Sequence, residues 1–386
     1  MVYLDNGATT KVSQEFIEDS TMVMRDIWGN PSSPHSAGKK AKDLLEESRA
    51  IIAETINTSP ENIIFTSGGT ESNNLALQSF INYDINVTSK IEHPSVLKPA
   101  NEYFFNAFKF IKPNNYEGFI EPKDLDTLLR TFVVWKRETA AVSIMFANNE
   151  IGTIQDIKSL ARITHKHNGI FHTDAVQAFG HVPINVKDLG IDMMSVSGHK
   201  FGCAKGCGFL YTNINIYANL LGGNQERGLR AGTENLPYIY AMARQAKRMC
   251  DRIDLNRERI MINVDYLLDG ITDILKKNKV DAFINGPVDL SRRIPGNLSI
   301  TIDGINAQSL VSVMDMYGVC ISAGSACKST EPQPSHVLKA IGLTDKEAYE
   351  TIRINIGPEN TKDDIDEFLN AINMALPMLR RANVDV

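Results

Sequence analysis

The sequence predicts an α/β fold built on a mostly parallel sheet with helices on both faces. Three observations carry this. Apolar runs of strand length alternate with longer amphipathic runs between Glu61 and Tyr211. The glycine-rich and polar clusters fall at the ends of those strand-like runs, where open α/β sheets bind ligands. The composition, 43% hydrophobic and 22% charged over 386 residues, is that of a globular protein large enough for two or three domains.

Taken in chain order, Met1-Val-Tyr-Leu-Asp5 reads as a strand, as does Glu61-Asn-Ile-Ile-Phe-Thr66, followed by a helix over Glu71 to Phe80. Asn86 to Lys90 is strand-like. Ala140 to Phe146 predicts a strand, Ile157 to His167 a helix, and Gly169 to Thr173, Asp192 to Ser197 and Gly208 to Tyr211 further strands. Glu234 to about Lys277 is rich in helix formers and predicts a long helix bridging two domains. Beyond it, strands are expected over Asn297 to Ile302, Val319 to Ile321 and Thr351 to Ile356. Helices are expected over Asn306 to Met316, Ser335 to Ala340 and Thr361 to Arg380. That pattern predicts a second α/β domain.

The formal net charge of −6 gives no basic face for nucleic acid or an anionic membrane. No apolar run approaches the roughly 18 residues of a membrane helix. Five cysteines without a disulfide-framework spacing, and no signal-peptide pattern, predict free thiols in a reducing, cytoplasmic compartment.

Several clusters carry chemistry. Thr66-Ser-Gly-Gly-Thr-Glu-Ser72 joins a strand to a helix through two glycines, so Gly69 and Thr70 can cradle a phosphate at a helix N-terminus; an ordinary Thr-capped turn is the alternative. His93 can stack on a flat cofactor or be a plain loop histidine. Asp174, after a strand, can pair a pyridine nitrogen or cap a helix, and Gln177 one turn on can donate to a ring oxygen. Lys200, in Ser197-Gly-His-Lys200, sits where burial and cationic neighbours can make an amine reactive toward an aldehyde cofactor, with Ser197 and His199 free for its phosphate. A solvated lysine is the alternative. The pairing of Lys200 with Asp174 suggests pyridoxal 5′-phosphate (PLP) and an amino-acid substrate. Ile321-Ser-Ala-Gly-Ser-Ala-Cys-Lys-Ser-Thr-Glu-Pro-Gln-Pro334 predicts a mobile loop that exposes Cys327 beside Lys328. Arg353 alternates with apolar neighbours and needs an anion, either a substrate carboxylate or a structural acid. Cys203, Cys207 and His199 invite a metal reading, but four ligands are not in sight, and no metal is expected.

These residues, with Tyr3-Leu-Asp-Asn-Gly-Ala-Thr-Thr10, Gly29-Asn-Pro-Ser-Ser33, Asn148-Asn-Glu-Ile-Gly152, Glu226-Arg-Gly-Leu-Arg-Ala-Gly-Thr-Glu-Asn235 and Gly324-Ser-Ala-Cys327, resemble the NifS/IscS-type cysteine desulfurases. These are PLP-dependent enzymes of the class V aminotransferase family. The resemblance implies an aspartate-aminotransferase-like fold. A large domain over residues 15–250 carries a mostly parallel seven-stranded sheet. A smaller α/β domain, formed by 1–14 and 251–386, carries the cysteine loop at about 321–334. Lys200 then bonds the cofactor, and Gly69, Thr70, Ser197 and His199 hold its phosphate, joined by Thr233 from the second subunit of a homodimer. His93 stacks on the ring, Asp174 pairs its nitrogen and Gln177 its phenolic oxygen. Asn149 and Arg353 bind the substrate carboxylate, with Asn30 nearby, and Cys327 receives sulfur from L-cysteine as a persulfide. An iron–sulfur scaffold or a thiolation protein is the implied sulfur acceptor. A selenocysteine lyase of the same fold is the near alternative, and a catalytically silent sulfur-binding scaffold the distant one. The chain departs from the family pattern in Phe201-Gly-Cys-Ala-Lys-Gly-Cys207, in Asn224, and in a short tail after Arg353.

Overall fold

The computed structural model describes residues 1–102, 108–132, 139–324 and 333–384. Its centre is a seven-stranded sheet. In spatial order the strands are Ile63–Thr66, Gly208–Thr212, Met193–Ser197, Ile170–Asp174, Ala140–Ser143, Ile85–Ser89 and Phe108–Ile111. The last five run parallel to one another. Gly208–Thr212 lies antiparallel between its two neighbours, so the sheet is mostly parallel. The central strands are buried along their whole length, which is why they read as continuous apolar runs rather than alternating ones. His172 is one of the buried polar residues among them. It bridges Ser143 Oγ (2.8 Å) and Ser195 Oγ (3.0 Å) across three strands, and burial pushes its pKa down to about 3, so it stays neutral.

The helices Gln14–Asp26 and Ser36–Thr55, to which the sequence reading assigned no element, pack on the helix Leu236–Asp251. The expected long helix after Glu234 is two helices, Leu236–Asp251 and Ile253–Asn278. The break is at Arg252, whose φ and ψ of −116° and 13° leave the helical region and whose N–H bonds the Met249 carbonyl, three residues back.

A four-stranded antiparallel sheet follows, ordered Ser322–Ala323, Thr351–Asn355, Asn297–Ile302 and Ala282–Asn285. Ile260, Val264 and Leu267 of one helix and Phe368 and Ile372 of another, Lys362–Val384, share a buried core with it. Val2–Tyr3 pairs in parallel with Val319–Cys320. Arg293, 1% exposed, ties the regions together by donating to the carbonyls of Ile151, Asn285 and Pro287. Among the described residues no helix is long and apolar enough to cross a membrane.

Candidate active site

The carboxyl ends of three strands and one helix start converge on a cavity of ≈ 360 Å³. The strand Ile63–Thr66 turns through Gly68 into the helix Gly69–Gln78. Gly68 has φ +148°, and a Cβ on Gly69 would lie 2.6 Å from Val176 Cγ2, so only glycine permits this close turn. No side chain caps the helix, and Gly69 and Thr70 line the cavity. Ser197 ends its strand there, and the tight turn Gly198–Lys200 follows. Phe201 fixes that turn from below, its ring 5.1 Å from Phe179, which in turn meets Phe209 at 5.4 Å.

Lys200 Nζ donates to the carbonyls of Gly7 (2.7 Å) and Ala8 (2.8 Å). Burial, with Arg353 adding its charge, pushes the amine down to about 8, well toward the neutral form a nucleophile needs. His199 is pushed down to about 4 by burial first and then by Lys200, Lys205 and His93, so it is a neutral ring at physiological pH. Its Nδ1 meets Thr9 Oγ1 at 3.2 Å. Gln177 Nε2 donates to Gly7 O at 3.0 Å. The segment Asp5–Thr10 therefore runs along one side, with Gly7 and Ala8 as its wall.

Asp174 is 4% exposed at its strand end. Its Oδ1 accepts from Val176 N (2.9 Å) and its Oδ2 from Asn73 Nδ2 (2.7 Å). Asn73 also donates to Ser95 Oγ (2.8 Å), which lies 2.7 Å from His93 Nδ1. Across the cavity, Arg353 donates from NH1 to the Asn149 carbonyl (3.1 Å) and from NH2 to Asp5 Oδ1 (3.2 Å). Its buried Nε finds no partner among the described residues.

Ten of the residues singled out in the sequence thus line one cavity. Gly69, Thr70, Ser197 and His199 meet at one end, and Lys200, Asp174 and Gln177 lie along it with His93, Asn149 and Arg353. Asn30 and Thr233 do not line it. Both are exposed, and Asn30 Oδ1 accepts from Ser32 N. Cys327 and Lys328 lie outside the described residues. Cys203 and Cys207 are buried against Gly198, where an added Cβ would lie 2.7 Å from Cys207 Sγ. Among the described residues no three metal-ligating side chains come together. The sequence reading missed Asn73, Ser95 and Asp5. Asn73 and Ser95 carry no signal outside the fold, whereas Asp5 belongs to the Tyr3–Thr10 motif but was given no role.

The aminotransferase class-V family profile matches residues 2–368. The chain belongs to that family. It is 38% identical over 390 residues to "Cysteine desulfurase IscS" of Dictyoglomus turgidum, covering 98% of this chain and 95% of that one. A relative of the same name in Methanosarcina thermophila is 38% identical over 388 residues, covering 98% and 93%. Among solved structures, a NifS-like protein from Rickettsia africae superposes with a TM-score of 0.85 at 34% identity, covering 97% of this chain and 99% of that chain.

Members of this family depend on PLP, and the cavity fits that group. Its glycine-lined helix start, which no side chain caps, suits a phosphate. Its lysine is held well below the usual pKa, suiting an aldehyde. Asp174 is a buried carboxylate whose two oxygens are already oriented, suiting a protonated pyridine nitrogen.

Proposed function

We propose that this protein is a PLP-dependent cysteine desulfurase that converts L-cysteine to L-alanine and takes the sulfur onto Cys327 as a persulfide. The observation that carries this reading is the meeting of Lys200, Asp174 and Arg353 around one cavity with a glycine-lined phosphate cradle. PLP supplies an aldehyde that bonds amines and a pyridinium ring that draws electrons from the substrate Cα. Gly69, Thr70, Ser197 and His199 would hold its phosphate, and His93, Asp174 and Gln177 its ring. Lys200 would bond the cofactor and, once released, take the Cα proton on Nζ; a pKa near 8 lets it accept that proton at neutral pH. Arg353 has a buried Nε with hydrogen-bonding capacity left for the substrate carboxylate, and Asn149 lies beside it. Cys327 attacks the substrate sulfur: the Cβ–S bond breaks, an S–S bond forms on Cys327, and L-alanine leaves.

In this reading residues 15–250 form the cofactor domain, and 1–14 with 251–386 the small domain that carries the cysteine. Two chains form a homodimer in the cytoplasm in which Thr233 of one completes the phosphate site of the other. An acceptor protein, an iron–sulfur scaffold or a thiolation protein, removes the sulfur.

The test feeds L-cysteine to wild type and Cys327→Ala and measures alanine and sulfide. Wild type forms alanine, and the variant loses at least a hundredfold. Full activity in the variant would remove the persulfide step and leave a selenocysteine lyase as the better reading. A chain that takes up no PLP would overturn the enzyme reading altogether.

A further inference from the structure

Asp174, Asn73, Ser95 and His93 form one hydrogen-bond chain beside the cavity, with Asn73 donating on both sides. Asn73, with no solvent exposure, lies one turn into the helix that begins at Gly69. Both hydrogens of its amide nitrogen are committed, one to Asp174 Oδ2 at 2.7 Å and one to Ser95 Oγ at 2.8 Å. Its Oδ1 has no partner among the described residues. The amide orientation is therefore decided by the carboxylate alone. Turned over, Oδ1 would face a carboxylate oxygen at the same short distance, two acceptors without a proton between them.

The orientation propagates. Ser95 Oγ accepts from Asn73 and so has its own proton to give, and His93 Nδ1 lies 2.7 Å away. The Ser95 backbone N–H donates to the same Nδ1 at 3.1 Å. A ring nitrogen that accepts from two donors carries no proton, which puts the proton of the neutral imidazole on Nε2. The chain runs from a carboxylate to an imidazole without a break.

We propose that Asn73, oriented by Asp174, is a positioning residue that turns the Ser95 hydroxyl toward His93 Nδ1 and so reinforces the Nε2–H tautomer that the Ser95 backbone N–H already favours. This rests on the reading above, in which Asp174 and His93 both touch the cofactor. His93 then offers an N–H donor to the cavity at the start of the reaction, not a lone pair. Asp174 and His93 are thus linked through three hydrogen bonds, one amide and one hydroxyl.

The test uses the holoenzyme labelled with ¹⁵N-histidine, the His93 ring nitrogens being assigned by their absence in His93→Gln. Wild type should show a single species with an unprotonated Nδ1 and a protonated Nε2. Asn73→Leu frees the Ser95 hydroxyl to turn and accept. Nδ1 then loses the hydroxyl donor but keeps the Ser95 N–H, so its resonance should move without a change of tautomer, and the visible band of the bound cofactor should shift because Asp174 has lost a donor. Ser95→Ala should move the Nδ1 resonance in the same sense while leaving the band in place. A wild-type ring protonated on Nδ1 would overturn the proposal. So would a His93 spectrum unchanged in Asn73→Leu, or, if that variant does not fold, in Ser95→Ala. Failure of the desulfurase reading shows separately, as wild type that forms no alanine, and leaves the ring spectra interpretable.

Discussion

Replacing Glu92 by Gln tests how strongly this site charges its own buried acids. Glu92 has no solvent exposure and accepts from Ser89 Oγ (2.6 Å) and Met145 N (2.9 Å). Burial first, with the charge of Asp174 adding to it, raises its carboxyl from 4.5 to about 8. An acid with a folded pKa above its unfolded value holds its proton more tightly when folded. Its contribution to stability is complete below about 4.5 and is lost as pH climbs through about 8. A difference of about 3.5 pH units, at 1.36 kcal/mol each, comes to roughly 5 kcal/mol, of which about 4 falls between pH 5 and 9. The amide of Glu92→Gln keeps an acceptor for both donors and does not titrate. With an unfolding entropy of ~2.1 cal/mol/K per residue over 386 residues, 1 °C corresponds to about 0.8 kcal/mol. The Tm of the variant minus that of wild type should therefore be about 5 °C larger at pH 9 than at pH 5, read by calorimetry. The same difference at both pH values would refute the reasoning, because it would mean that Glu92 is ionised, or equally neutral, throughout.

Three further outcomes are expected. Arg353→Leu should lower kcat/KM for L-cysteine on the order of a hundredfold, mostly through KM, while binding of cysteamine, which has no carboxylate, stays unchanged. Arg49→Met should unfold about 4–6 °C earlier, since it strands Glu226, which Arg49 holds by two bonds of 2.7 and 2.8 Å in a buried pair; adding Glu226→Gln should recover most of the loss in calorimetry. Glu71 sits in the first turn of the helix at Gly69 and is neutralised by Arg230 at 2.7 Å. Arg230→Met should therefore weaken PLP binding several-fold in a cofactor titration, and Glu71→Gln in the same chain should restore it.

The elements that were legible in the sequence are those whose pattern is local. Asn297–Ile302 has the bounds its strand-like run suggests, and Ile157–Lys166 is an amphipathic helix with an Asp156 cap, so periodicity alone locates it. The helix break at Arg252 was not legible, because helix formers continue on both sides and the break is set by where each half packs. Within the site, Lys200, Asp174 and Arg353 stand out as charged residues at the ends or inside of apolar strands. Asn73 does not. It is a helix-interior asparagine whose meaning comes from Ser95 and Asp174, residues 22 and 101 positions away. Asn30 and Thr233 carry equally clear motifs yet lie away from the cavity of this chain, since a motif records composition and not which wall of which site it builds.

The segment Asp5–Thr10 has a consequence for the order of events in the cell. Gly7 meets Lys200 across 193 positions, and Asp5 meets Arg353 across 348. At roughly 5–20 residues per second, Arg353 leaves the ribosome roughly 20–70 s after Asp5. Until then the segment has neither its arginine nor the strand Val319–Cys320 beside which Val2–Tyr3 must lie. The central sheet can collapse early and Gln177 and His199 can hold the segment against it, but its last anchors, Arg353 and the strand Val319–Cys320, arrive only when the two distant ends of the sequence meet. Nascent chains halted before Arg353 should then hold cofactor colour less firmly than finished molecules, however well their central sheet had folded.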